Sequence, residues 1–390
     1  MSSFPFDSLR RWPDLESPEL VAIDAADRLL LDELAIALEE DPTLAHSNLT
    51  IIGDTHGALT LGALAERGFT EVRVHQDARS GELALLNNAK ALEGHIPHGA
   101  LFTQLPLGEE LVTDSRVVIL RLPRGLEQLD QWAALIAAYS SDDVLVLAGG
   151  RLKHMTTSMN DVLARYFDHV EASLAQQKSR VLRARGPKKD AALAGLALWP
   201  KSEHHADIDM TVCAQGGVFA GTSIDIGTYD LLAVLDRVSG QQGMRIIDFG
   251  CGTGVLAAQI AKLRPSATVI ASDQSAAAVE SARATMAANG LSERVTVVRD
   301  DGLSTQPDNS ADLILFNPPF HSGAAVHAGT SLRLFKEAGR VLKPGGELWV
   351  VANRHLSYKP ALRNLVGETR EVRRTPKFTV TRSIKQFTQR

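Results

Sequence analysis

The sequence predicts an α/β fold of two tandem Rossmann-like domains, the second intact and the first a degenerate duplicate. Three observations carry this. In the C-terminal half, short apolar runs alternate with helical stretches of a length that implies βαβ units around a parallel sheet. The N-terminal half repeats that order of elements at an offset of roughly 195–205 residues. A glycine-punctuated loop follows the first strand of each half, and only the second keeps three closely spaced glycines. A chain of 390 residues has room for two or three domains, and the expected domains are 1–200 and 201–390. The expected linker regions are Gly186-Pro187-Lys188-Lys189 and residues 200–209, which are polar and punctuated by Pro and Gly.

In the first half, a strand through Thr50-Ile51-Ile52 runs into Gly53-Asp54-Thr55-His56-Gly57. Residues 71–75 form a second strand, ahead of a helix through Asn87 and Asn88. A strand at 116–122 ends at Pro123, and another at 143–148 closes the series. In the second half a helix at 228–238 leads in. Residues 245–249 read as a strand, 255–263 as a helix, 268–272 as a strand and the Ala-rich stretch 275–289 as a helix. Residues 295–299 and 312–316 are strands. A helix is expected at about 330–341, and the turn Lys343-Pro344-Gly345-Gly346 precedes a strand at 347–352.

Hydrophobic content of 44% and charged content of 22% are ordinary for a soluble globular chain. No apolar stretch approaches the roughly 20 residues of a membrane span, and the first residues lack a signal-sequence pattern. Cys213 and Cys251 are too few for a disulfide framework or a zinc site. These features point to a cytoplasmic protein with no membrane partner and no metal. The net charge of −5 argues against a nucleic-acid partner in bulk, but the distribution softens that. Residues 1–50 hold eleven acidic side chains against three Arg. Residues 178–189 carry Lys178, Arg180, Arg183, Arg185, Lys188 and Lys189 and no acid, and residues 354–390 carry ten Lys or Arg against Glu368 and Glu371. Local basic faces attract phosphate whatever the total charge, although each cluster alone also reads as solvated surface.

The apolar run 313–316 ends in Asn317-Pro318-Pro319-Phe320. Such an ending suits the holding of a planar nitrogen while a methyl group is transferred to it. The Asn side-chain carbonyl accepts a hydrogen bond from an NH2 group. The prolines fix φ and donate nothing, so a stiff turn leaves its carbonyl open to a second hydrogen bond, and Phe320 offers a flat apolar surface for a base. Taken alone, the tetrapeptide reads equally as a strand-ending turn. Its company matters. Asp248-Phe249-Gly250-Cys251-Gly252-Thr253-Gly254 follows a strand and opens a helix, where glycines allow a tight turn and free N–H groups meet an anion. Asp273, nineteen residues after Gly254 and followed by Gln274, ends the next strand, where a carboxylate can accept both hydroxyls of a ribose. Asp301, before Gly302, is placed to accept an adenine amine, or simply to close an Asp-Asp-Gly turn.

This set is close to the dinucleotide fingerprint, so an NAD(P) oxidoreductase is one reading. The G-x-G-x-G spacing, Asp248 placed to face a cationic group, and the want of a separate hydride-acceptor site tilt the choice to S-adenosylmethionine.

Residues 248–254, Asp273, Asp301 and the Asn-Pro-Pro-Phe segment together resemble class I S-adenosylmethionine-dependent methyltransferases acting on planar exocyclic nitrogens. Over 218–227 (Val-Phe-Ala-Gly-Thr-Ser-Ile-Asp-Ile-Gly), 317–321 and 350–356 (Val-Val-Ala-Asn-Arg-His-Leu), the chain is similar to the bacterial ribosomal RNA guanine-N2 methyltransferases C and G. Its length and residues 25–31 look more like the large-subunit branch, G. The resemblance implies a degenerate methyltransferase-like domain at 1–200 that positions RNA, and a catalytic domain at 201–390. It implies that Phe219, Asp225 and Gly227 lie in a segment closing over the cofactor, where a strand-to-helix cap is an equal reading. It sets Arg354-His355 at the sheet edge to meet phosphate, and His321 beside the base.

The expected cofactor residues are therefore Phe219, Asp225, Asp248, Gly250, Cys251, Gly252, Gly254, Asp273, Gln274, Asp301, Gly302 and Asn317. The reaction is expected at Asn317, Pro318, Pro319 and Phe320. The implied activity is methyl transfer to the N2 amine of a guanine in ribosomal RNA, free or in a ribosomal subunit, by a monomer without metal. Adenine-N6 and protein glutamine-N5 methyltransferases use the same tetrapeptide physics. A non-catalytic RNA-binding assembly factor would keep the fold without the chemistry.

Overall fold

The computed structural model describes residues 4–318 and 324–386. It divides into two compact units, Met1–Trp199 and Pro200–Arg390. In the first, strands β1 (Asn48–Ile52), β2 (Glu71–His75), β3 (Leu101–Gln104), β4 (Ser115–Arg121), β5 (Leu145–Arg151), β6 (Phe167–Ala172) and β7 (Ser179–Pro187) form one sheet. Their order is β3-β2-β1-β4-β5-β7-β6. The second unit opens with a hairpin, β8 (Lys201–His205) and β9 (Met210–Ala214). Its sheet is built from β10 (Arg245–Phe249), β11 (Thr268–Asp273), β12 (Val295–Arg299), β13 (Ala311–Phe316), β14 (Leu342–Asn353), β15 (Gly367–Arg374) and β16 (Phe378–Lys385). The order β12-β11-β10-β13-β14-β16-β15 is the same permutation.

The duplication extends to element starts. The strands and helices that begin at residues 48, 58, 71 and 79 recur at 245, 255, 268 and 276, each 197 residues later. Two unrelated α/β domains have no reason to share both a strand permutation and a constant spacing.

Helices cover both faces of each sheet, so the central strands are apolar along nearly their whole length. In the second unit Ile246, Leu313 and Leu315 enter the core on one face. Their neighbours Ile247, Ile314 and Phe316 enter the core on the other. That period of two follows from the pleat.

Six strands of each sheet run in the same direction and one is reversed. β7 and β16 run antiparallel between their neighbours, making both sheets mixed. These pairs carry the segments that read as basic clusters. In β7, Val181, Leu182 and Ala184 are buried while Arg180, Arg183 and Arg185 are partly or fully exposed. Arginines are interspersed among apolar residues that enter the core on both faces, so the cationic signal masked the strand. The linker expectation at 186–189 is corrected for the same reason: Gly186 and Pro187 end β7, and Lys189 opens the helix Lys189–Leu196 inside the first unit. Most of 200–209 is β8 and its turn rather than open linker.

The helix expected at 228–238 is instead a short helix, Ile226–Leu232, followed by a 3-10 turn, Leu235–Arg237. The helix expected from about residue 330 begins at Ala324. The turn at 343–346 is a bulge within β14, where the register against β13 jumps from Ala311↔Leu342 to Leu313↔Glu347.

Candidate active site

Register sets the site. Phe249 of β10 pairs with Ser272 of β11 and with Phe316 of β13, and Asp273 pairs with Arg299 of β12. The loops that follow these four strands therefore leave one carboxyl edge of the sheet, where open α/β folds bind ligands. Stacking of Phe249 on Phe316, with ring centroids 4.5 Å apart, fixes the two central strand ends against each other.

The glycine loop is built for close approach. Gly250, Gly252 and Gly254 have φ of +68°, +54° and +81°, a region other residues enter only with strain. A Cβ on Gly254 would meet Met286 Cε at 2.8 Å and Ala282 Cβ at 3.1 Å, so this glycine brings the helix Val255–Leu263 onto the helix Ala276–Ala288. A Cβ on Gly252 would meet nothing within 4 Å. The middle of the loop thus borders open space at a helix N-terminus, as a site for an anionic ligand group requires. Asp273 ties this loop to its own strand end: Oδ2 accepts from the Gly252 amide at 3.0 Å and Oδ1 from the Ser275 amide at 2.9 Å.

Asp248 does not face outward as expected. It is 1% exposed beneath the loop and accepts from the Ala257 amide at 2.9 Å. Burial pushes its carboxyl up to about 7, so it braces the loop from below and is a poor partner for a cationic ligand group. Cys251 is buried beside it, and desolvation drives its thiol well above the ordinary range, which leaves it inert.

Asn317 is the first residue beyond β13. Its Nδ2 lies 3.3 and 3.1 Å from the two oxygens of Asp225 and 3.1 Å from Thr228 Oγ1. Its Oδ1 is buried and has no hydrogen-bond partner. A buried acceptor left open is uncommon, and each instance calls for an explanation. Asp225 is the N-cap of the helix Ile226–Leu232, accepting from Gly227 N at 2.8 Å and Thr228 N at 3.3 Å. Its oxygens accept from the cap amides, from Thr228 Oγ1 at 2.5 Å and from Asn317, which gives it the cap role that was the equal reading of the sequence.

Asp301 is 5% exposed and forks with Arg333 at 2.8 and 3.1 Å, so an adenine amine would share its carboxylate with a guanidinium. Gly302 follows at φ +69°. Phe219 lies 56% exposed in a turn, next to Ala220 at φ +65°. Arg354 follows β14 at the same sheet edge, where its guanidinium donates to the Pro376 carbonyl at 3.4 Å and its amide to the Lys377 carbonyl at 3.0 Å. Pro318 is buried, while Pro319, Phe320 and His321 lie outside the described residues. Among the described residues, no cluster of His, Cys, Asp or Glu could hold a metal, and no helix is long and apolar enough to cross a membrane.

The first unit has a counterpart that sequence reading missed. Arg121 ends β4 as Asn317 follows β13, and it forks to Asp24 at 2.7 and 2.8 Å and to Asp27 at 2.8 Å. Asp24 caps the helix Ala25–Glu40 just as Asp225 caps Ile226–Leu232, and Asp27 stands where Thr228 does. Ile23-Asp24 against Ile224-Asp225, 201 residues apart, was the available signal. Gln76 takes the place of Asp273 and hydrogen-bonds the Asp54 carbonyl. The copy keeps the framework and loses both the carboxylate at the Asp273 position and the carboxamide acceptor at the Asn317 position.

The family described as Methyltransferase small domain matches residues 209–382, and the family described as RLMG N-terminal domain matches residues 2–188. A ribosomal RNA large subunit methyltransferase G of Shewanella amazonensis is 32% identical over 380 residues, covering 97% of this chain and 96% of the relative. One of Streptomyces coelicolor is 34% identical over 384 residues, covering 97% and 98%. Among solved structures, the 16S rRNA N2 methyltransferase of T. thermophilus in complex with AdoMet and guanosine superposes with a TM-score of 0.67 at 19% identity, over 88% of this chain and 91% of that one.

Proposed function

This chain belongs to the ribosomal RNA large subunit methyltransferase G family, and from that premise we propose that it methylates the exocyclic N2 amine of a guanine in large-subunit ribosomal RNA, with S-adenosylmethionine as donor. The observation that carries this reading is the open Oδ1 of Asn317 on the edge that also bears the glycine loop and Asp273. When bound, S-adenosylmethionine supplies an electrophilic methyl group on a sulfonium. The open space beside Gly252 at the helix N-terminus would take its carboxylate end, and Asp273 would take its ribose.

The guanine amine is a weak nucleophile because its lone pair is delocalised into the ring. Asn317 Oδ1 and the Pro318 carbonyl accept its two hydrogens and hold the nitrogen with its lone pair turned out of the ring plane. Positioning and fixed dipoles then do most of the catalysis. The methylated amine is acidic, so water takes the proton and no side-chain base is required. The guanine leaves its stack to reach the edge, which costs about a few kcal/mol. Residues 1–200 position the RNA. The protein acts as a cytoplasmic monomer.

The deciding experiment is mass spectrometry of ribosomal RNA from a strain lacking the protein. One N2-methylguanosine should be missing, and its position names the target nucleotide. A full complement of modifications would sink the proposal. Asp273→Ala should weaken S-adenosylmethionine binding by about 10- to 100-fold in calorimetry, the scale of hydrogen bonds to a charged acceptor. An unaltered Kd would remove Asp273 from the ribose site.

A further inference from the structure

We propose that Asp225 and Thr228 are positioning residues that fix the polarity of the Asn317 carboxamide, holding its oxygen toward the amine to be methylated. The inference rests on the reaction proposed above and adds to it a reason why Asn317 works.

A carboxamide is almost symmetric in shape, and rotating it by half a turn exchanges a donor for an acceptor. A rotated Asn317 would present its NH2 to the NH2 of the substrate, donor against donor. The prolines that follow carry no N–H to hold the carboxamide oxygen, so its orientation rests on its surroundings. Asp225 is acceptor-only when ionised, and it lies 3.1 Å from Asn317 Nδ2 at Oδ2 and 3.3 Å at Oδ1. Thr228 alone is ambiguous, because a hydroxyl both donates and accepts. Here its proton is taken by Asp225 Oδ2 at 2.5 Å, which turns its lone pairs to Asn317 Nδ2 at 3.1 Å. The three side chains thus form a closed set with a single consistent polarity. Reversal would set Asn317 Oδ1 against a carboxylate.

Local structure makes the set rigid. Asp225 is immobilised by its cap bonds to Gly227 N and Thr228 N. Gly227 is the residue that permits the approach, since a Cβ there would lie 3.0 Å from Asp225 Oδ1 and 3.4 Å from Asn317 Oδ1. A negative charge at the NH2 end of the amide also polarises it toward its oxygen, which strengthens that oxygen as an acceptor.

The first unit supports this independently. The same three positions are Asp24, Asp27 and Arg121, and again the strand-end residue donates to the cap residue and to the residue three further on. The contact between cap and strand end is thus part of the duplicated framework. Its polarity differs at the tip: a guanidinium has no acceptor, whereas a tied carboxamide has one.

The test uses the full chain, S-adenosylmethionine labelled in the methyl group, and ribosomal RNA from the deletion strain. Asp225→Asn keeps a good cap side chain but offers Asn317 either polarity. We expect kcat to fall about 10- to 100-fold, within the range set by losing one fixed dipole, while KM for S-adenosylmethionine changes less than about twofold. Thr228→Val should fall similarly, and Thr228→Ser, which keeps the hydroxyl, should turn over at least about tenfold faster than Thr228→Val. In an Asn317→Ala background, Asp225→Asn should cost nothing more, since a residue acting only through Asn317 has nothing left to orient. An equal further loss in that background would overturn the proposal, as would a raised KM for S-adenosylmethionine at unchanged kcat.

Nitrogen-15 spectra of the Asn317 side chain give a reading independent of any RNA. Its amide hydrogens should be protected from exchange in the wild type and exposed in Asp225→Asn. Fast exchange in the wild type would overturn the clamp even if guanine is methylated. Protection in a wild type that methylates no guanine would support the clamp and sink only the proposed reaction.

Discussion

Asn317→Ala is expected to cut methyl transfer by about 10²- to 10³-fold while S-adenosylmethionine still binds close to wild-type affinity. The magnitude is that of removing one preorganised dipole aimed at developing charge. The substitution deletes the partnerless buried carboxamide oxygen at the end of β13. It leaves the anchors of the other ligand intact, because the glycine loop is held by Asp273 and braced by Asp248 rather than by Asn317. It also leaves the helix cap intact, since Asp225 still accepts from Gly227 N, Thr228 N and Thr228 Oγ1. A loss of turnover would therefore report chemistry rather than collapse. Single-turnover transfer of labelled methyl to deletion-strain RNA measures it, with calorimetry for the cofactor. Turnover within about threefold of wild type would remove Asn317 from the reaction. Asn317→Asp should be no better, since it sets a second carboxylate about 3 Å from Asp225, where like charges resist joint ionisation.

Much of this site was legible in the sequence because its determinants are local. Strands β10 and β12 and the helix Val255–Leu263 have the boundaries that apolar period and flanking glycines imply. Glycines 250, 252 and 254 declare a loop with positive φ because few other residues can make it. What stayed hidden depends on partners distant in sequence. Asp248 looked like a ligand residue, and only the fold puts the loop over it. Asp301 looked open, and Arg333, thirty-two residues on, fills its carboxylate. Asp225 looked like either a cap or a cofactor residue; it is a cap, and its second partner stands ninety-two residues away. The antiparallel strands β7, β15 and β16 were hidden differently. β7 and β16 are interrupted by Arg or Lys and β15 by Arg and Glu, which composition reads as charge and only pairing reads as strand.

The first unit should prove far more sensitive at Arg121 than a surface ion pair would be. Arg121→Ala is expected to destabilise it by about 3–5 kcal/mol, the cost of removing one partner from a buried charge cluster. Asp27 is 5% exposed, and burial pushes its carboxyl up to about 7 even with Arg121 beside it. Asp24 is desolvated too, but the guanidinium overrides this and holds it down at about 2. The signs of the two shifts set the pH dependence. A depressed carboxyl stabilises the folded state above its unfolded pKa of about 4 and loses that contribution as pH falls toward 2. A raised carboxyl costs stability that builds up from about pH 4 and is complete above about 7, and without Arg121 that cost grows. Both effects make the gap between wild type and Arg121→Ala widest at neutral pH and narrowest near pH 2–3. Calorimetric unfolding across that range checks it, and a gap independent of pH would mean that the fork contributes packing and not charge. Arg121→Asn, which copies the second unit, should recover little, because Asp27 would keep a buried carboxyl, now without its cation, where the second unit has the hydroxyl of Thr228. It should also fail to create S-adenosylmethionine binding in this unit, since Gln76 still stands where the ribose carboxylate would be. The arginine is thus the counterion of an acidic cap that the active copy holds with an amide, and an amide alone leaves an oxygen open for a substrate.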